Sequence, residues 1–203
     1  MKTWRRTLIA TAALHLLVGT VAADTVVYER TGPTPEAVVA WLSEHGDEIT
    51  LADTERLLTS IDVALWGGPN LPPADLCLRV YDLDGPEGTP GTLLWEDTVL
   101  GIAGPQWDLL PVTFAIPQVQ VPDTIVFTLE NTAGPALGVA MFASPPSIGT
   151  FHAEWHKGED DEWAPYAGEL KLWARITAVP EPDSGALAIL ATIALAARRR
   201  CAA

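Results

Sequence analysis

The chain has 203 residues, with 12 lysines and arginines against 26 aspartates and glutamates. Half of the bases lie at the two ends (Lys2, Arg5, Arg6 and Arg198 to Arg200), so the stretch between holds six bases and all 26 acids. Such a body lacks the basic footprint that nucleic acid requires, and an anionic membrane surface repels it.

Residues 1–23 read as a secretory signal. Lys2, Arg5 and Arg6 form the charged start, and Leu8 to Val18 is a short apolar run. Val21, Ala22 and Ala23 supply the small residues that a signal peptidase needs, which places cleavage between Ala23 and Asp24. The apolar run is too short for a span of about 20 residues.

From Asp24 onward the pattern is that of short strands. Ile61, Val63 and Leu65 alternate with Asp62 and Ala64. Leu76, Leu78 and Val80 alternate with Cys77, Arg79 and Tyr81. Ile125, Phe127 and Leu129, and later Leu170, Leu172, Ala174 and Ile176, repeat the period of two. Each run predicts a strand with one buried and one wet face. Weaker runs lie at 25–29, 48–52, 93–99, 112–116, 137–142 and 150–156. Gly and Pro clusters separate them, as at Gly67-Gly68-Pro69 and Ser144-Pro145-Pro146. The expectation is an all-β fold, a single antiparallel β-sandwich or jelly-roll-like domain over 24–178. One helix is expected near 35–45, with Thr34 as cap, Pro35 at the first helical position and Gly46 as stop.

Several residues invite a chemical reading. His152, Glu154 and His156 would share one face of a regular strand and could offer a divalent metal two imidazoles and a carboxylate. No fourth ligand is in sight, and three polar residues on a wet strand face explain them as well. Asp82 and Asp84 before Gly85 lack the further carboxylates of a calcium loop and suit a turn. Glu159 to Glu162 reads as a solvated loop tip. Cys77, in an apolar run, reads as a small core residue. Trp107 and Trp163 lie in loop-like stretches and Trp173 among charged residues, so these indoles are the candidates for stacking on sugar rings. The sequence carries no Gly-x-Ser-x-Gly elbow, no Walker loop, no dinucleotide fingerprint and no cofactor signature.

The C-terminus, 179–203, has three parts. Pro180-Glu181-Pro182 stays extended because of its prolines. An apolar stretch over 185–197 follows, then Arg198, Arg199 and Arg200. The stretch would form a helix of about 20 Å, short for a transmembrane span, and the arginines would stay cytoplasmic. This tail resembles the PEP-CTERM sorting signal of Gram-negative bacteria. The resemblance implies export, anchoring in the inner membrane, and processing near Pro180-Glu181-Pro182 by an exosortase. It further implies a final place in the envelope or outside the cell, often beside exopolysaccharide. More loosely, Gly46 to Leu51, Leu78 to Asp82, Pro90 to Trp95, Val121 to Asp123 and Leu172 to Ile176 are similar to a group of uncharacterised exported β-sandwich domains. That likeness implies a fold and no activity.

The leading expectation is therefore a non-enzymatic exported protein associated with exopolysaccharide. A lectin-like carbohydrate-binding module is the alternative, and a glycosidase or metal-dependent hydrolase stands behind both.

Overall fold

The structure is a computed structural model that describes residues 23–40, 43–66, 73–103, 108–134, 138–158, 160–166, 168 and 171–181. The expected signal helix and the apolar C-terminal helix lie outside these residues.

The described residues form strands, turns and a single 3-10 turn at Pro86–Gly88. In chain order the strands are β1 (Thr25–Arg30), β2 (Ala37–Ala40), β3 (His45–Thr50), β4 (Leu57–Trp66), β5 (Ala74–Tyr81), β6 (Leu93–Ile102) and β7 (Leu109–Gln120). Then come β8 (Thr124–Ala133), β9 (Gly138–Phe142), β10 (Thr150–Lys157), β11 (Trp163–Tyr166), β12 (Lys171–Leu172) and β13 (Ala174–Val179). One sheet runs β1-β13-β4-β9-β12, with β2 on β9 and β7 on β4; the other runs β11-β10-β3-β8-β5-β6. Every pairing between these strands is antiparallel.

The alternation seen in the sequence becomes the core. Ile61, Val63 and Leu65 of β4 and Ile176 of β13 come from the first sheet. Leu76, Leu78 and Val80 of β5 and Ile125, Phe127 and Leu129 of β8 come from the second. All fall in one buried cluster. Burying such side chains is worth about 1.5–3 kcal/mol each, which fixes which face of each strand turns inward. The second faces are not uniformly wet. Cys77, Val126 and Thr128 are also buried, under groups described below.

The helix expected near 35–45 is absent. Ala37–Ala40 form β2, paired with Gly138–Met141, and the Glu36 N–H donates to the Met141 carbonyl at 2.9 Å. By His45 the chain has entered β3. The cap and stop residues offer about 1 kcal/mol of local preference. A ladder to β9, reached through Val38 and Val39 with their β preference, outweighs it. Gly46 is no helix stop. It lies inside β3, opposite Thr128 on β8 and Trp155 on β10. A Cβ there would collide with the Phe127 carbonyl oxygen and the Thr128 backbone.

The Gly46→Ala substitution should therefore cost about 1–3 kcal/mol, as overpacking against backbone does. Urea unfolding followed by tryptophan fluorescence measures it. A loss below about 0.5 kcal/mol would show that β3 has room to spare.

Candidate functional site

Two polar constellations form around β3, one on each side of its sheet. On the core-facing side, the register sets His45 opposite His156 and Asp47 opposite Glu154. Two basic groups from the other sheet answer the carboxylates. Arg30 of β1 lies 3.7 Å from Asp47, and Lys171 of β12 lies 3.6 Å from Glu154. The Leu172 N–H donates to Asp47 at 3.0 Å. Phe151 lies between the two cations, with the Arg30 guanidinium 4.9 Å and the Lys171 ammonium 4.4 Å from its ring centre. Asp47 is fully buried, and Arg30 and Glu154 are nearly so.

Burial, opposed by Arg30, pushes the Asp47 carboxyl up to about 8. Burial also raises the Glu154 carboxyl, against the pull of Lys171. His45 is lowered to about 4 by burial and by the neighbouring His156, whose ring stacks on it at 5.7 Å. This cluster is a buried polar core, closed to solvent at its centre.

The second constellation is open. On the side away from the core, Arg79 of β5 is held by three carboxylates: Glu130 at 2.6 Å, Glu44 at 3.2 Å and Glu96 at 3.2 Å. Glu44 precedes β3 and is buried. It accepts hydrogen bonds from the Thr128 hydroxyl and from the Tyr81 hydroxyl. Its own carbonyl accepts the Lys157 N–H at 2.9 Å, which ties it to the end of β10. Lys157 pairs with Asp161 at 2.8 Å in the turn that follows. Ser43, Glu44, Arg79, Tyr81, Glu130, Lys157, Gly158 and Asp161 line a groove of about 480 Å³. Trp163 meets Tyr81 edge to face at 5.4 Å and belongs with Tyr81, Val126 and Trp155 to an aromatic cluster on this face. Burial works to lower the Arg79 pKa, but its carboxylate partners raise it overall, so it stays charged.

The candidate residues of the sequence are distributed as follows. Glu154 and His156 do share a face, but His152 leaves it. The register shifts between Phe151 and Ala153, and His152 Nε2 lies 2.7 Å from the Thr50 hydroxyl, which itself lies 2.8 Å from the hydroxyl of Thr124. A bulge of this kind reverses the side chain at the extra residue. Glu154 pairs with Lys171 and His156 stacks on His45, so the expected triad does not converge. Among the described residues no three His, Cys, Asp or Glu side chains are grouped to hold a metal ion.

Trp163 does not line the groove: it packs edge to face on Tyr81, and the Lys157 ammonium lies 5.6 Å over its ring. Trp173 falls in a separate cluster of the other sheet, against Ala64, Ala140 and Phe142, and its indole N–H donates to the Gly32 carbonyl at 3.3 Å. Trp107 lies outside the described residues. Asp84 closes a turn by accepting from the Thr92 N–H and hydroxyl, each at 2.6 Å. Cys77 is buried, and burial raises its thiol pKa. Ala23 and Asp24 are exposed ahead of β1, and Pro180 and Glu181 are exposed after β13. Glu181 accepts from the Gln120 amide at 2.7 Å. Pro182 and Arg198 to Arg200 lie outside the described residues. Glu44, Arg79, Tyr81, Glu130 and Lys157 were not candidates in the sequence.

No family model, curated protein or solved structure matches the chain.

Asp47 gives a signed pH dependence. Its raised pKa means the folded state holds a proton that the unfolded state has released, between about pH 4 and 8, so its contribution to stability falls as pH rises through that window. The Asp47→Asn variant lacks this titration. Its stability relative to wild type should improve from pH 5 to pH 8, by up to about 1 kcal/mol per pH unit. Denaturant titrations at several pH values check this, and a constant difference would mean that Asp47 is ionised throughout.

Proposed function

We propose that the chain is an exported, non-enzymatic envelope or matrix protein. Its β-sandwich body is sorted by an exosortase through the C-terminal tail and associates with exopolysaccharide. The observation that carries this reading is the antiparallel pairing of β1 with β13, in which Thr25 lies opposite Ala178. The expected signal cleavage site and the Pro180-Glu181 motif therefore leave the body side by side and exposed. The groove lies toward the other ends of the strands. Glu44 precedes the start of β3, and Lys157 ends β10, while Thr50, Thr124 and Thr150 mark the end nearer the termini. A body tethered by its tail would thus hold the groove away from the membrane.

The groove supports binding over catalysis. Its acids and bases are already paired with one another, Glu44 and Glu130 with Arg79 and Asp161 with Lys157. A general acid or base needs a group free to exchange its proton with substrate.

Intact-mass analysis of the protein from its own culture, split into inner membrane, outer envelope and medium, tests the sorting. The expected species begins at Asp24, ends near Pro180 to Pro182, and lies outside the inner membrane. A species that keeps Arg198 to Ala203 in the inner membrane would make the tail a permanent anchor and overturn the sorting.

A further inference from the structure

We infer that the free edge of β6 is a strand-docking site. It takes an extended segment of another protein in which a lysine or arginine has an apolar residue two positions to either side. The occupant is a polypeptide, so this interaction is separate from the proposed association with polysaccharide.

The edges of the two sheets are not alike. An open strand edge offers unpaired N–H and C=O groups to any passing chain, and folded proteins blunt such edges with proline, short strands or a covering segment. Pro111 and Pro117 interrupt β7, and Pro165 interrupts β11. β2 is four residues long. Along β1, Ile148 bridges to Glu29, and the Ser147 N–H donates to the Glu29 carbonyl at 2.8 Å. β6 is different. It is ten residues long, contains no proline, and ends its sheet with β5 as its one partner strand among the described residues. Leu93, Glu96, Asp97, Leu100 and Gly101 are exposed along it, Leu100 to 72%, so this stretch faces solvent.

The side chains of β6 specify what can pair with it. Trp95, Asp97 and Val99 lie opposite Val80, Leu78 and Leu76, so they share the inner face of the sheet. Trp95 and Val99 pack against the core at its open side, whereas Asp97 between them is exposed. An inward-pointing charge on an edge strand opposes indiscriminate pairing. Asp97 forms no ion pair among the described residues, and its carboxylate accepts the Thr98 N–H at 2.8 Å. A strand added to β6 sets residues two apart beside Trp95, Asp97 and Val99. Apolar side chains at the outer two positions extend the core, and a basic one between them pairs with Asp97.

A second copy of this chain does not fit. Pairing β6 with β6 would bring the Glu96 and Asp97 carboxylates of the two copies near one another. Between residues 24 and 179 the one base with apolar residues two positions to each side is Arg79, between Cys77 and Tyr81, and it already lies inside the sheet on β5. The occupant is therefore a different chain, and a body with six bases and 26 acids attracts a basic one.

The test uses the mature protein purified from its culture and a capped peptide, Thr-Val-Thr-Lys-Thr-Val-Thr, beside a second peptide with glutamate in place of the lysine. Calorimetry reads the affinity, and amide hydrogen exchange reads the site. The lysine peptide should bind with a Kd of roughly 0.1–1 mM and slow exchange within 93–102, and the glutamate peptide should bind about fivefold more weakly. Asp97→Lys should reverse that preference. Asp97→Asn keeps the shape of the side chain, so it keeps the test valid if Asp97→Lys unfolds, and it should bring the two affinities together. No binding up to about 10 mM, binding that leaves exchange within 93–102 unchanged, equal affinity of wild type for the two peptides, or a preference unmoved in Asp97→Asn would each overturn the inference. So would dimerisation of the protein alone with protection confined to β6, which would make a second copy the occupant.

Discussion

Strand β3 is held between β8 and β10, and the close approach at Gly46 is the constraint on which the other features depend. The backbone there packs so near Phe127 and Thr128 that no side chain fits. Both ladders are thereby brought into register, with Gly46 level with Thr128 on one side and Trp155 on the other. That register turns Ile49 into the core, sets Asp47 beside Glu154, and leads back to Glu44 beneath the groove. A slip by one residue would turn Glu48 inward and Asp47 outward, exchanging every consequence at once.

The interior charges make the docking of the two sheets specific. Arg30 and Lys171 belong to one sheet and Asp47 and Glu154 to the other. Taking these groups out of water is costly, and Asp47, its carboxyl pushed up to about 8, lessens that cost by keeping its proton near neutral pH. A wrong docking, however, would leave Arg30, Lys171 and Glu154 without the partners they meet here, a penalty of several kcal/mol for each buried charge. Phe151 adds to this specificity by presenting its ring to both cations. The Leu172 N–H bond to Asp47 ties the last strands of the chain to β3, 125 residues earlier.

The same long-range logic builds the groove. Arg79 comes from β5, Glu130 from β8, Glu44 from the approach to β3, and Lys157 from the end of β10. Arg79 and Glu130 are 51 residues apart, and Thr128 and Glu44 are 84 apart. The charged groups are paired with one another, so the groove has the character of a fixed polar surface with carboxylate in excess. The groove lies toward the strand ends opposite those at which β1 begins and β13 finishes.

Local patterning settled much of this protein from the sequence alone. The period of two in 61–65, 76–81 and 124–130 marked strands because burying one face of a pleated chain dominates its energetics, and the structure places strands there; the run read as one strand over 170–176 is instead broken at Trp173 into β12 on β9 and β13 between β1 and β4. The turn at Asp82 to Gly85 was legible for a similar reason, since its hydrogen bonds run between near neighbours. The acidic body and the tripartite tail are likewise properties of the chain read in order. Tertiary structure decided the rest. Residues 37–40 follow helix-start signals at Thr34 and Pro35, yet the partner β9 made them a strand. A single register shift beside Ala153 sent His152 away from Glu154 and His156, and no local pattern announces a bulge. Trp173 and Trp163 look alike in the chain but were sent to different sheets. The groove residues were invisible for the same reason: a side chain's partners across a sheet depend on which strands become neighbours, and only the folded sheets settle that.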